Sequence, residues 1–225
     1  MRGEVQVGGM LSGKAGLVHC HMGPGAARLA PLRDAVAASG GDIPLTQFHP
    51  THVNRSPALV ADGAEWLAEG GTLDLSCGDD EACAAALELF RRRALPLGSV
   101  TLSTDAFGSL PTFDEATGRL VGYEVASPAT MLALLRHLCL QRGWALEEVL
   151  PLMTSNPARI LKLGGKGRIG VGADADLLLL DPGSLQLRYV IARGRVVRTP
   201  EWVRGGMFER GEGIIPHRPD EFGSR

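Results

Sequence analysis

Five side chains in this sequence have the types and spacing of a metal-assisted hydrolytic site: His19 and His21, His49 and His52, and Asp105. Imidazole nitrogens and a carboxylate oxygen are the donors of catalytic zinc-type sites, which leave one position open for water. His19 and His21 stand two apart, so in an extended segment they point to one face and an H-x-H chelate is sterically possible. A histidine satisfied in the core by a backbone carbonyl is the competing reading at each position. It is stronger for His19 and His49 than for His21 and His52, which stand nearest the loops. Asp105 closes Thr101-Leu102-Ser103-Thr104 and reads either as a rim carboxylate or as a turn residue. His137, in a helical pattern, reads as structural, and His217, in a polar tail, as solvated. Asp174 and Asp176 sit in a turn-rich stretch, where Asp bonds its own backbone. Neither Gly13-Lys14 nor Gly164-Gly165-Lys166-Gly167 completes a phosphate-cradling loop.

The elements that must position these side chains repeat as strand, loop and helix. The apolar run Ala15 to Cys20 leads through Gly23-Pro24-Gly25 to Leu29, Leu32 and Val36 at helical spacing, ended by Gly40-Gly41. A second strand spans Ile43 to Val53, weakened by Pro50, and Ser56-Pro57 offers an N-cap with proline in the first turn of a helix closed by Gly70-Gly71. Thr72 to Ser76 is a third strand. The helix after it opens on Asp79, Asp80 and Glu81 and ends on Arg91, Arg92 and Arg93, a charge order that complements the helix dipole. Ser99 to Ser103 is a fourth strand, and Ala106 to Ala126 reads as a long loop of the kind that is usually functional. Ser127-Pro128 starts a helix that Gly143 stops, and another runs from about Ala145. Beyond Lys166 the pattern turns to short strands, with a hairpin around Arg193-Gly194.

Four such units imply parallel strands with crossover helices, an α/β sheet or part of a barrel; four cannot close an eight-stranded barrel. In these folds chemistry gathers at the carboxyl ends of the strands, where the two histidine pairs and Asp105 stand.

Composition narrows the function classes. With 23 Lys+Arg against 25 Asp+Glu the net charge is -2, which offers no cationic field for nucleic acid or acidic membrane. Hydrophobic residues make up 44% of the 225 residues, enough for a real core. Cys20, Cys77, Cys83 and Cys139 form no CxxC pair and read as reduced, buried thiols of a cytoplasmic protein. The amino-terminal residues lack an apolar signal core, and the richest apolar run, Met131 to Leu140, is broken by Arg136 and His137.

Several motifs carry a family likeness in order along the chain. Val18-His19-Cys20-His21-Met22-Gly23, Pro50-Thr51-His52-Val53-Asn54-Arg55, and Thr101-Leu102-Ser103-Thr104-Asp105 with Gly108-Ser109 resemble three successive motifs of the isoaspartyl (β-aspartyl) dipeptidases of the amidohydrolase superfamily. Thr154-Ser155-Asn156-Pro157-Ala158 and Gly167-Arg168-Ile169 through Asp176-Leu177 resemble the superfamily's last barrel helix and its return into a small β-sandwich. The resemblance implies a zinc-dependent metallohydrolase of the dipeptidase class, cleaving the amide bond of β-aspartyl dipeptides with a metal-bound hydroxide in a binuclear Zn2+ site. It implies that His21 and His52 ligate one metal, that Asp105 ligates the other and moves protons, and that Arg55 and Ser109 bind substrate. His19 and His49 receive no family role.

The implied fold is the second half of a (β/α)8 TIM barrel followed by part of a small β-sandwich: residues 1–165 as barrel strands five to eight, 166–210 as sandwich, and 211–225 as a disordered tail. The first-strand H-x-H pair and the bridging lysine of such enzymes have no counterpart here, which leaves at most a partial metal site. Two alternatives follow: an inactive structural or binding partner, or another amidohydrolase of the dihydropyrimidinase or deacetylase kind. A complete enzyme of this type is expected to be a cytoplasmic homo-oligomer.

Overall fold

The computed structural model describes residues 2–23, 25–114 and 117–205, and its chain divides into two compact units, Met1–Gly167 and Arg168–Arg225. The expected disordered tail, 211–225, lies outside the described residues.

In the first unit, β1 (Val18–His21) pairs in parallel with β2 (Phe48–Thr51), and β3 (Leu73–Ser76) with β4 (Val100–Ser103). These four strands are four residues long, and Leu45–Gln47 and Leu97–Ser99 form 3-10 turns that shorten the expected runs ahead of β2 and β4. Pro50 also has a structural consequence. Met22 N–H donates to Thr51 O (3.2 Å), so Thr51 faces β1 and Pro50, one residue earlier, faces β3, where it has no N–H to give. No backbone ladder joins β2 to β3, and side chains make that connection instead.

The helices between the strands are α2 (Ala30–Ala37), α3 (Pro57–Ala68) and α4 (Asp80–Arg92). Ser56 Oγ accepts from Leu59 N–H at 3.2 Å to cap α3, and Asp79 Oδ1 accepts from Ala82 N–H at 2.9 Å to cap α4, as the N-cap residue types require. Trp66, Leu67, Leu73, Leu75, Leu87, Phe90 and Val100 are buried, so the core lies between these helices and one face of the strands. A Cβ on Gly63 would stand 2.5 Å from Val53 Cγ1, so the close packing of α3 needs glycine there. A helix not separated in the sequence reading, α1 (Arg2–Ser12), precedes β1; Gly3, Gly8 and Gly9 dilute its helical signal.

The segment read as a long loop, 106–126, instead holds an antiparallel hairpin, β5 (Ser109–Phe113) with β6 (Leu120–Val125). Strand β5 does not alternate apolar and polar residues, and in β6 the alternating apolar residues Val121, Tyr123 and Val125 are all exposed, so the buried face that marks a half-buried strand is missing. Then α5 (Thr130–Arg136) runs into a π-turn at His137–Gln141, followed by α6 (Leu146–Met153) and α7 (Ser155–Ile160). Asn156 of α7 donates to both Leu97 O (2.9 Å) and Val100 O (2.8 Å), pinning the entry to β4.

The second unit holds a three-stranded antiparallel sheet, β7 (Leu177–Leu180), β8 (Leu187–Ala192) and β9 (Arg195–Arg198), with Arg193 and Gly194 at positive φ in the β8–β9 turn. Asp176 accepts from Arg193 N–H at 2.7 Å, a bond to the β8–β9 turn rather than to its own turn as expected.

All four cysteines are free, but only Cys77 and Cys83 are buried; Cys20 and Cys139 are half-buried. Cys20 alternates with the histidines on a strand that is covered less than its neighbours. No described helix is long and apolar enough to cross a membrane.

Candidate metal centre

The four parallel strands read VHCH, FHPT, LDLS and VTLS, and strand geometry turns alternate residues to opposite faces. Val18, Cys20, Phe48, Pro50, Leu73, Leu75, Val100 and Leu102 therefore share one face. The other carries only polar side chains: His19 and His21, His49 and Thr51, Asp74 and Ser76, Thr101 and Ser103. The register places His19 beside His49, His21 beside Thr51, Asp74 beside Thr101 and Ser76 beside Ser103, so this face forms two polar layers.

The deeper layer is closed on itself. Asp74, 2% exposed, accepts from Thr51 Oγ1 at 2.5 Å, from Thr101 Oγ1 at 2.6 Å and from Ser103 Oγ at 2.6 Å. Because Thr101 donates to the carboxylate, it accepts from His49 Nε2–H (3.0 Å), and His49 Nδ1 accepts from Thr72 Oγ1–H (2.8 Å). Every hydrogen in the chain Thr72–His49–Thr101–Asp74 thus has an assigned acceptor. Burial, with the neighbouring His19, pushes the His49 imidazole down to about 4, which keeps it neutral. Burial raises the Asp74 carboxyl above its ordinary range, opposed by its three hydroxyl donors.

The rim layer is different. His21 ends β1, while His52 and Asp105 stand one and two residues beyond β2 and β4. Both latter residues adopt left-handed backbone, φ 63° for His52 and 49° for Asp105. Such conformations cost energy for side chains larger than glycine and concentrate at functional positions. They break the strand direction at the rim, and His21, His52 and Asp105 each bring one ligand atom within 4.8 Å of the others. His52 Nε2 lies 2.9 Å from His21 Nδ1 and 3.7 Å from Asp105 Oδ2. His21 is exposed, the His52 side chain is 4% exposed and that of Asp105 27%, so the group is open on the His21 and Asp105 sides. Burial lowers the His52 imidazole to about 4; Arg55 adds to the shift and Asp105 opposes it. Gly108 N–H donates to Asp105 O at 2.9 Å, and a Cβ there would stand 2.8 Å from that oxygen, so the turn after Asp105 needs glycine.

The donor set suits a divalent cation. Zinc–nitrogen bonds of about 2.0–2.1 Å separate two tetrahedral ligands by roughly 3.3 Å. The 2.9 and 3.7 Å spacings lie on either side of that distance, with a mixed imidazole–carboxylate chemistry.

Of the other expected site residues, Arg55 is exposed, and its Nη1 donates to Met22 O (2.7 Å), tying the turn after β2 to the end of β1. Ser109 is exposed at the start of β5, four residues past Asp105. His19 stacks on His49, ring centroids 5.6 Å apart, outside the rim group. His137 is buried in the π-turn, its Nδ1 3.0 Å from Gln141 Oε1, a structural role. Asp74, Ser76 and Asn54 were missed by the sequence reading, although an aspartate between Leu73 and Leu75 in an otherwise apolar strand was a visible signal.

Comparison with known proteins agrees with this architecture. Residues 81–208, more than half of the chain, match the Amidohydrolase family. Among solved structures, the chain is similar to the β-aspartyl dipeptidase of Fervidobacterium islandicum AW-1 in complex with β-Asp-Leu dipeptide, at 38% identity and a TM-score of 0.82, covering 92% of this chain and 53% of that one. A second structure of β-aspartyl dipeptidase from the same organism matches at 33% identity and a TM-score of 0.78, covering 92% and 52%. A dihydroorotase from Clostridium botulinum is 38% identical over 91 residues, 40% of this chain and 22% of its own. The chain spans about half the length of the solved structures it matches.

Proposed function

Because the chain belongs to the amidohydrolase family, we propose that it corresponds to the second half of a metal-dependent hydrolase that cleaves the amide bond of β-aspartyl dipeptides. In this reading residues 1–165 supply barrel strands five to eight and 166–210 part of a β-sandwich. The observation that carries the proposal is the convergence of His21, His52 and Asp105 from three different strand ends. Similarity at a TM-score of 0.82 to a dipeptidase structure that holds β-Asp-Leu supports the substrate class.

His21 and His52 would hold one divalent cation, zinc in this reading, and Asp105 would ligate a second. Such ions supply Lewis acidity to water and to the scissile carbonyl. Asp105, on an open side of the group, takes the proton of the attacking water and delivers it to the leaving amine, a transfer suited to a carboxylate within reach of both. The bidentate fork of Arg55 receives a substrate carboxylate, exchanging its bond to Met22 O for a charge-assisted pair. Ser109, on the same segment as Asp105, adds a hydroxyl beside it. The environment of such an enzyme is the cytoplasm, and its full assembly a homo-oligomer.

The test is metal binding and β-Asp-Leu hydrolysis by the 225-residue chain. Weak Zn2+ binding that His52→Ala abolishes, with little turnover, is the expected result. Full activity would remove the half-barrel reading, and binding indifferent to His21 and His52 would remove the metal centre. A dihydroorotase-like activity is a second reading, favoured by the 38% identity over 91 residues. In an enzyme completed with its first half, Arg55→Ala should abolish β-Asp-Leu hydrolysis, and unchanged turnover would remove the role of Arg55; hydrolysis of dihydroorotate in place of β-Asp-Leu would favour the second reading.

A further inference from the structure

His52 has two ring nitrogens and only one can face a metal. Its Nε2 turns toward His21 and Asp105, while its Nδ1 is hydrogen-bonded to Ser76 Oγ. A neutral imidazole carries one proton, so a bare Nε2 requires the proton on Nδ1, and an acceptor must stand there to keep it. Ser76 Oγ stands at that place, and its own position is over-determined. Asn54, two residues past His52, donates from Nδ2 to Ser76 O and accepts at Oδ1 from Ser76 N–H, both at 2.9 Å. The two backbone partners have opposite polarity, so the amide orientation is settled by the bonds it makes. The fork links the His52 turn to the end of β3, from which the Ser76 hydroxyl reaches the ring.

We infer that Ser76, clamped by Asn54, is a positioning residue that holds His52 as the Nδ1–H tautomer and presents its Nε2 as a ligand. This rests on the proposed metal centre, and it adds a fourth strand to that centre without adding a ligand. Outer partners of metal-bound histidines fix ring orientation and tautomer, and their loss typically weakens metal affinity about 10- to 100-fold. Ser103, opposite Ser76 in the register, points its hydroxyl at Asp74 instead.

Two measurements test the inference separately from the reading beneath it. In the metal-free 225-residue chain, long-range 1H–15N correlation spectra give the tautomer of His52, assigned by the loss of its signals in His52→Asn. Nδ1–H in the native chain, and a mixed population in Ser76→Ala with recovery in Ser76→Thr, supports the inference. An Nε2–H tautomer in the native chain, or the native tautomer unchanged in Ser76→Ala, overturns it, and the first of these needs no variant to fold. Titration with Co2+, followed by its d–d absorption, should show affinity reduced about 10- to 100-fold in Ser76→Ala and restored in Ser76→Thr. Native affinity in Ser76→Ala overturns the inference. A native chain that binds no Co2+ while His52 keeps a Ser76-dependent Nδ1–H sinks the metal-centre reading and leaves the positioning role standing.

Discussion

Two groups of histidine and aspartate share one face of the same strands, and they have opposite characters. In the deeper one, His49 and Asp74 are nearly dry, and four hydroxyls meet their donors and acceptors. In the rim group, His52 Nε2 stands at hydrogen-bond distance from His21 Nδ1 but 3.7 Å from Asp105 Oδ2, on backbone held left-handed at two of the three positions. Residue type does not separate the groups, since His49 and His52 stand three apart in the chain. Partners do. A polar group whose bonds are complete stabilises strand pairing, whereas one whose bonds are open has capacity left for a ligand.

The contrast breaks first at Asp74. Asp74→Ala removes the acceptor of three hydroxyls and should lower unfolding free energy by roughly 3 to 5 kcal/mol, read from urea denaturation. A loss below about 1 kcal/mol would mean that the deeper group is not the brace described here.

The next effect is pH-dependent. His49 is depressed from 6.5 to about 4, so the unfolded chain takes up a proton that the folded chain refuses. Its contribution is complete above pH 6.5 and falls as pH drops from 6.5 toward 4, to a limit of about 3 kcal/mol. Chemical denaturation at a series of pH values should show His49→Gln flattening that slope.

A smaller stability effect and a large binding effect are expected together at His21. His21→Ala should change unfolding free energy by no more than about 1 kcal/mol, because the ring is exposed, yet abolish Co2+ binding measured by absorption. The smallest change belongs to His19→Ala, exposed and outside the rim group: stability within about 0.5 kcal/mol and native Co2+ affinity. Lost Co2+ affinity in that variant would merge the two groups into one.

Much of this was legible in one dimension. The alternation in VHCH, LDLS and VTLS, the Ser56-Pro57 and Asp79 caps and the Gly-Gly stops mark strand–helix units, because each signal acts over a few residues. The ordered motifs also pointed to isoaspartyl dipeptidases, in keeping with the structures the chain resembles. The hairpin at 109–125 escaped because β5 carries no alternation to read and the alternating apolar residues of β6 face solvent rather than a core. Ser76 and Asn54 escaped because a serine at a strand end and an asparagine in a turn are ordinary by type.

The sequence by itself determined where polar residues alternate with apolar ones and which histidines and aspartate stand at strand ends. Only the tertiary structure decided that Thr72 and Thr101 complete His49 while Ser76, His21 and Asp105 surround His52. The partners of His49, 23 and 52 residues away, meet it through strand register, and register depends on packing that no local stretch encodes.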